Sequence, residues 1–316
     1  MVRKILLVIS ILVLCGTLPI LARDSVTFCA AGDVLLDRGI RMAIERQGIH
    51  YPFSGVSPVV SSYDLAFCNL ESPISDRGDP LGKQFVFRGD PRFVESLLGS
   101  GFTIFSLANN HTLDYGRKAL TDTISLLKKK GLFPLGAGKT QSDARQSLII
   151  EKNGLRFAFI ATVPMALEGI AYQENLPGPS QSHLDDLVFE IQQVRKSVDF
   201  IIVSFHWGME YSPLPSLHQI EYAHGCIDAG ADLVIGHHPH VIQSIEKYRG
   251  KIILYSVGNF VFDQSPGMGS DTFLFGCTFT RGGIHSPHFL PVVIVRCRPE
   301  LATGEDFKRI AREMQS

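Results

Sequence analysis

The chain has 316 residues, 45% of them apolar, which suits one large or two small folded domains and excludes a disordered polypeptide. Lysines and arginines number 30 against 31 acidic residues, for a formal charge of −1 with no block of like charge. That argues against a nucleic-acid partner held by phosphate neutralisation, though a metal cluster could still attract an anion locally.

Arg3 and Lys4 precede an apolar run at 5–14 and a weaker one to Leu21, the layout of a secretory signal peptide ending at Ala22. A retained membrane anchor, or a lipid on Cys15 after Leu12-Val13-Leu14, are the competing readings. All three imply export to the periplasm or cell surface. The other cysteines, Cys29, Cys68, Cys226, Cys277 and Cys297, are scattered without close pairing and read as buried free thiols.

From residue 26 onward, apolar runs alternate with helical patterns. Strands are expected at 26–31, 65–69, 103–107, 155–162, 200–205, 233–235 and 252–256, with helices at 37–47, 92–100, 117–130, 185–198 and 216–229. Lys128-Lys129-Lys130-Gly131 supplies the basic last turn and glycine stop of one helix. Runs at 272–280 and 288–297 around Arg281-Gly282-Gly283 read as a hairpin, followed by a polar helical tail from Gly304. The pattern predicts a layered α/β fold with much parallel pairing, residues 265–316 completing the domain that 27–264 begin.

Residues with ligand chemistry follow the strands directly, at the sheet edge where open α/β folds bind ligands. Gly32-Asp33, taken alone, suits a helix cap, and Glu71 in Asn69-Leu70-Glu71-Ser72-Pro73 suits a solvated turn. Ala108-Asn109-Asn110-His111-Thr112-Leu113-Asp114 is sharper, because His111 and Asp114 add metal or acid–base capacity to what could be a plain turn. His206-Trp207-Gly208-Met209-Glu210-Tyr211 closes a strongly apolar strand, and Gly236-His237-His238-Pro239-His240 sets three imidazoles within four positions. Imidazole is the commonest metal-ligating side chain, and the mix of oxygen and nitrogen donors suits Mn, Fe or Zn. A carboxylate bridging two such ions is the arrangement that clamps phosphoryl oxygens and activates water.

Together with Arg38 and Tyr255-Ser256-Val257-Gly258-Asn259-Phe260-Val261-Phe262-Asp263, these motifs resemble, in order and spacing from residue 27 to 264, the bacterial CapA family. That family includes poly-γ-glutamate capsule-synthesis proteins and is related to calcineurin-like metallophosphoesterases. The resemblance implies a four-layer αββα sandwich holding two divalent transition-metal ions at one sheet edge. It matches Asp33, Glu71, Asn110, His206, His238 and His240 to metal ligands, and His111 to the group that protonates a leaving oxygen, with Asp114 placed to orient it. Arg38, His237, Glu210, Tyr255 and Asn259 are expected around the ligands rather than on the ions. Two positions depart from the wider phosphoesterase pattern: Leu35 stands where a histidine would follow Asp33, and Glu71 replaces an aspartate, leaving one metal position a ligand short. The implied function is a metal-dependent hydrolase in capsule or poly-γ-glutamate-type exopolymer synthesis; the alternative is a non-catalytic subunit that binds or helps export the polymer. Its partners would be an anionic polymer or phosphate-containing envelope substrate and a membrane-bound synthesis machinery.

Overall fold

The computed structural model describes residues 24–264, 267 and 269–314; the leader expected at 1–22 lies outside the described residues. The chain runs from β1 (Ser25–Val34) through α1 (Arg38–Gln47) and α2 (Ser57–Val60) to β2 (Leu65–Leu70). It continues through α3 (Val94–Leu98), β3 (Ile104–Ser106), α4 (Gly116–Lys129), β4 (Phe133–Leu135) and β5 (Ala137–Gly138). Then come α5 (Gln141–Arg145), β6 (Leu148–Lys152), β7 (Leu155–Thr162), β8 (Gly178–Pro179), α6 (Leu184–Val194) and β9 (Phe200–His206). After α7 (Leu217–Ala229) follow β10 (Leu233–His237), β11 (Ile245–Tyr248), β12 (Lys251–Leu254) and β13 (Asn259–Val261). The chain closes with β14 (Asp271–Thr280), β15 (Gly283–Val295), β16 (Arg298–Leu301) and α8 (Gly304–Glu313).

Two sheets carry the architecture. One is ordered β16-β15-β14-β1-β2-β3-β4 with β13 also paired to β1; the other is ordered β11-β12-β10-β9-β7-β6. Side-chain alternation sorts their residues into layers. Phe28 and Ala30 of β1 meet Phe157 and Phe159 of β7 and Phe200 of β9 in the layer between the sheets. The alternate residues Cys29 and Ala31 of β1 face Ile40, Leu97 and Leu120 from α1, α3 and α4, while Ile201 and Val203 of β9 face Leu187 and Ala223 from α6 and α7. Helix, sheet, sheet, helix is the four-layer sandwich expected from the family resemblance. Strands β14 to β16 extend the first sheet, so residues after 264 share its inner layer. Cys29, Cys68, Cys226 and Cys277 are buried free thiols, and Cys297 is free and partly exposed. Among the described residues no helix is long and apolar enough to cross a membrane.

Local chemistry explains where elements begin and end. Ser216 accepts from the Gln219 amide while the Gln219 side chain returns a bond to Ser216, a capping box that starts α7. The helix expected at 92–100 is instead a short turn at Pro91–Phe93 followed by α3, because Asp90 caps the Arg92 amide and proline begins the turn. The second hairpin strand starts at Gly283, not 288: His285, Ser286 and His288 are exposed, so hydrophobicity conceals that part of the strand. Nor does β1 end at 31. It continues through Asp33 to Val34, because Gly32 lies against β13, where an added Cβ would stand 1.9 Å from the Gly258 carbonyl oxygen.

Candidate metal centre

Parallel pairing of β1 with β2 and of β9 with β10 brings their C-terminal ends to one edge. Asp33 lies beside Asn69 of β2 and Asn259 of β13, and His206 lies beside His237 in the other sheet. The cluster closes where these two rows face each other. Asp33, Glu71 and His206 place one ligand atom each within 4.8 Å of one another, and Glu210, His238 and His240 do the same.

Hydrogen bonds hold the donors in place. Asn69 donates to Asp33 Oδ1 at 2.9 Å, and Asn109 in turn donates to Asn69 Oδ1 at 3.1 Å. The His206 Nε2 atom lies 2.8 Å from Asn110 Oδ1 and 3.1 Å from His238 Nδ1, the spacing of atoms converging on a common point. Because Asn259 Oδ1 can only accept, the Nδ1–H of His240 donates to it at 2.8 Å, which leaves Nε2 with its lone pair 3.6 Å from Glu71 Oε1. His238 and His240 both take left-handed backbone conformations, with φ of 97° and 59°, a strain that surrounding contacts must maintain.

The electrostatics are those of a crowded, dry site. Burial raises the cost of ionising Asp33, yet the adjacent His237 imidazole, with those of His206 and His240, outweighs it and holds the carboxyl well below the usual range. Glu71, also fully buried, is pushed well above its ordinary value by burial and then by the charge of Asp33. Burial, reinforced by neighbouring imidazoles, keeps His206 far below its ordinary value and brings His238 down to about 3. Such imidazoles are neutral at physiological pH, the form that ligates metals. Glu71 Oε1 is buried without a hydrogen-bond partner. An unsatisfied carboxylate oxygen among neutral nitrogen donors fits a cation, and the donor set of this site fits a borderline divalent metal.

Beside the cluster, His111 Nδ1 donates to Asp114 Oδ2 at 2.7 Å, so its Nε2 faces Glu71 Oε1 at 3.9 Å. Burial lowers the His111 value, although Asp114 opposes the shift. Phe87 packs on the imidazole with ring centroids 4.2 Å apart, and the Phe87 amide donates to Asp114 at 2.7 Å.

Of the residues expected around the ligands, Asn259 supports His240 as described. His237 is fully buried with its Nδ1 3.2 Å from Asp33 Oδ1, behind the carboxylate. Arg38 pairs with Asp263 and lies over the Phe87 ring at 5.0 Å and the Phe262 ring at 5.6 Å, the rings that pack on His111 and His240. Tyr255 is a correction: its ring packs in the outer layer with Trp207, and its hydroxyl donates to Glu246 at 2.6 Å. It follows the inward-facing Leu254 by one residue, and alternation turns it away from the site. Glu210 stands beside the cluster, with a carboxylate oxygen within 4.8 Å of a ring nitrogen of each of His238 and His240. The sequence reading also missed Lys83, whose ammonium lies 2.6 Å from Asp114 Oδ1 and donates to the Asn110 carbonyl at 2.9 Å.

Residues 27–264 match the family model described as bacterial capsule synthesis protein PGA_cap. The PGA biosynthesis protein CapA of Bacillus subtilis is 31% identical over 92% of this chain and 78% of its own length. A probable polyglutamine synthesis accessory protein of Mycobacterium tuberculosis is 32% identical over 77% of this chain and 69% of its own. Among solved structures, a phosphatase of Mycoplasma pneumoniae superposes with a TM-score of 0.55 at 16% identity, covering 85% of this chain and 94% of that one. The NAD nucleotidase of Haemophilus influenzae gives a TM-score of 0.50 at 14% identity, covering 92% and 56%. With its sandwich on the calcineurin-like metallophosphatase pattern and its match across residues 27–264, the chain belongs to the bacterial capsule synthesis PGA_cap family, that of the CapA proteins.

Proposed function

We propose that the protein is an exported, metal-dependent hydrolase of the metallophosphoesterase type, acting on anionic envelope polymer during capsule or poly-γ-glutamate-type synthesis. The observation that carries this reading is the buried Glu71 oxygen that makes no hydrogen bond, set among Asp33 and imidazoles at the edge where both sheets end. Asp33, Glu71 and His206 would hold one ion, and His238 and His240, with Asn110 close by, a second. Ions bound there would polarise a phosphoryl or carbonyl oxygen and activate water. The chain's own residues supply the rest. Asp114 fixes the tautomer and direction of His111, whose Nε2 moves a proton at the leaving oxygen. Phe87 covers one face of that imidazole and keeps bulk water from it.

The test is hydrolysis of a generic phosphodiester and of poly-γ-glutamate by the metal-loaded chain, wild type against His111→Ala. The variant should keep its metal and lose about 10²–10⁴-fold in turnover. Loss of metal in the variant would make His111 a ligand. The relative described as an accessory protein favours a second reading, a non-catalytic subunit that binds or helps export the polymer alongside a membrane-bound synthesis machinery. Metal-loaded wild type that binds polymer but turns over neither substrate would establish that reading instead.

A further inference from the structure

Glu210 belongs to a motif that the activity proposed above leaves unused. It lies in the segment after β9, which is pinned to the imidazole loop at two points. The Trp207 amide donates to the His237 carbonyl at 3.1 Å, and the Tyr211 amide donates to the Pro239 carbonyl at 2.7 Å. Over this stretch the backbone passes through two left-handed conformations, Gly208 at φ 87° and Tyr211, at the second tie, at φ 60°. An added Cβ on Gly208 would also stand 2.8 Å from the Gln219 side chain, so the path of the segment is closely constrained. The result holds the Glu210 carboxylate with the ring nitrogens of His238 and His240, all within 4.8 Å of one another.

No hydrogen bond or ion pair to a described residue accounts for that position. Ligand atoms on one ion at about 2.1 Å stand at most about 4.2 Å apart, and these three lie within 4.8 Å of one another, so a small inward movement of the exposed Glu210 side chain is enough to close them on an ion. On the other side of the site, Leu35, two residues after Asp33, is fully buried against Phe87 and Phe262 and offers no donor. Imidazole side chains bring no negative charge to an ion, so apart from a shared Glu71 the ion held by His238 and His240 would lack an anionic ligand. We propose that Glu210 is that ligand, completing the second metal position from the β9 side. Because Glu210 is exposed while Asp33 and Glu71 are fully buried, this ion sits at the mouth of the site, where it exchanges with solvent more readily than its neighbour.

The inference rests on the metal reading above and is tested apart from activity. Co²⁺ alone is titrated into the metal-free full chain, with bound equivalents measured by dialysis and the ligand field read from visible absorption. Wild type should take two equivalents. Glu210→Gln should bind the first as wild type does and weaken the second by about tenfold or more, with a changed absorption. Met209→Ala, one residue away and 69% exposed, should behave as wild type in both. Two equivalents of unchanged affinity in Glu210→Gln, or a single wild-type equivalent that the substitution leaves unaffected, would overturn the assignment alone. No binding by wild type would overturn it together with the metal reading.

Discussion

Lys83 follows Asp79-Pro80-Leu81-Gly82, a stretch whose composition reads as a solvated loop, yet its side chain is 3% exposed. Its ammonium ties Asp114 to the Asn110 carbonyl and so joins the group that orients His111 to the backbone of a candidate ligand. A buried ion pair contributes little over an apolar replacement of both partners, but removing one partner strands the other. Lys83→Met should therefore cost about 3 kcal/mol in urea unfolding. Adding Asp114→Asn should cost much less than a second such loss, since the stranded charge is gone; simple additivity of the two would show that the pair is not coupled.

At the scale of the element, the end of β1 sets the site. Gly32 lets β13 approach so closely that the Asp33 amide donates to the Gly258 carbonyl at 3.0 Å, and Asp33 then aligns with both Asn69 and Asn259. A glycine before an aspartate thus serves strand packing here, not a helix cap; the residue at the N-cap of α1 is Asp37. Gly32→Ala forces β1 and β13 apart, because a backbone oxygen 1.9 Å from the new Cβ has no rotamer to escape into. The variant should lose about 2 kcal/mol of stability in thermal unfolding and most of its metal. A melting curve and metal content equal to wild type would show that the approach is not needed.

For the whole molecule, the decisive layer is the one between the sheets. Phe273, Phe275 and Phe279 of β14 are fully buried there, and β14 pairs with β1 from Ser25 to Ala30. At about 1.5–3 kcal/mol for each buried phenylalanine, the three together contribute roughly 5–9 kcal/mol, comparable with the roughly 5–15 kcal/mol by which whole domains are stable. A chain ending at residue 264, where the family match stops, should fail to fold cooperatively and should expose apolar surface along β1. Near-UV circular dichroism and dye binding would report this. A soluble, cooperatively melting fragment would mean that residues 265–316 are an addition, not part of the core.

By itself the sequence determined the repeating plan of buried strand, polar strand end and helix. Strand periodicity and side-chain chemistry are local properties, so the loops carrying His111, His206 and His237 to His240 could be read as donor-bearing strand ends, whereas Asp33, Glu71 and Asn110 are matched to ligands through the family resemblance. Edge strands such as β6 and β11, and the polar start of β15, escaped the reading because their burial is mixed and hydrophobicity is a weak signal there. Only the tertiary structure decided the rest. Lys83 pairs with Asp114 across 31 positions, Glu210 meets His238 and His240 through a loop pinned to a different strand, and Tyr255 turns outward by the register of β12. Each of these depends on contacts between segments distant in the chain, where burial and pairing, rather than residue type, set what a side chain can do.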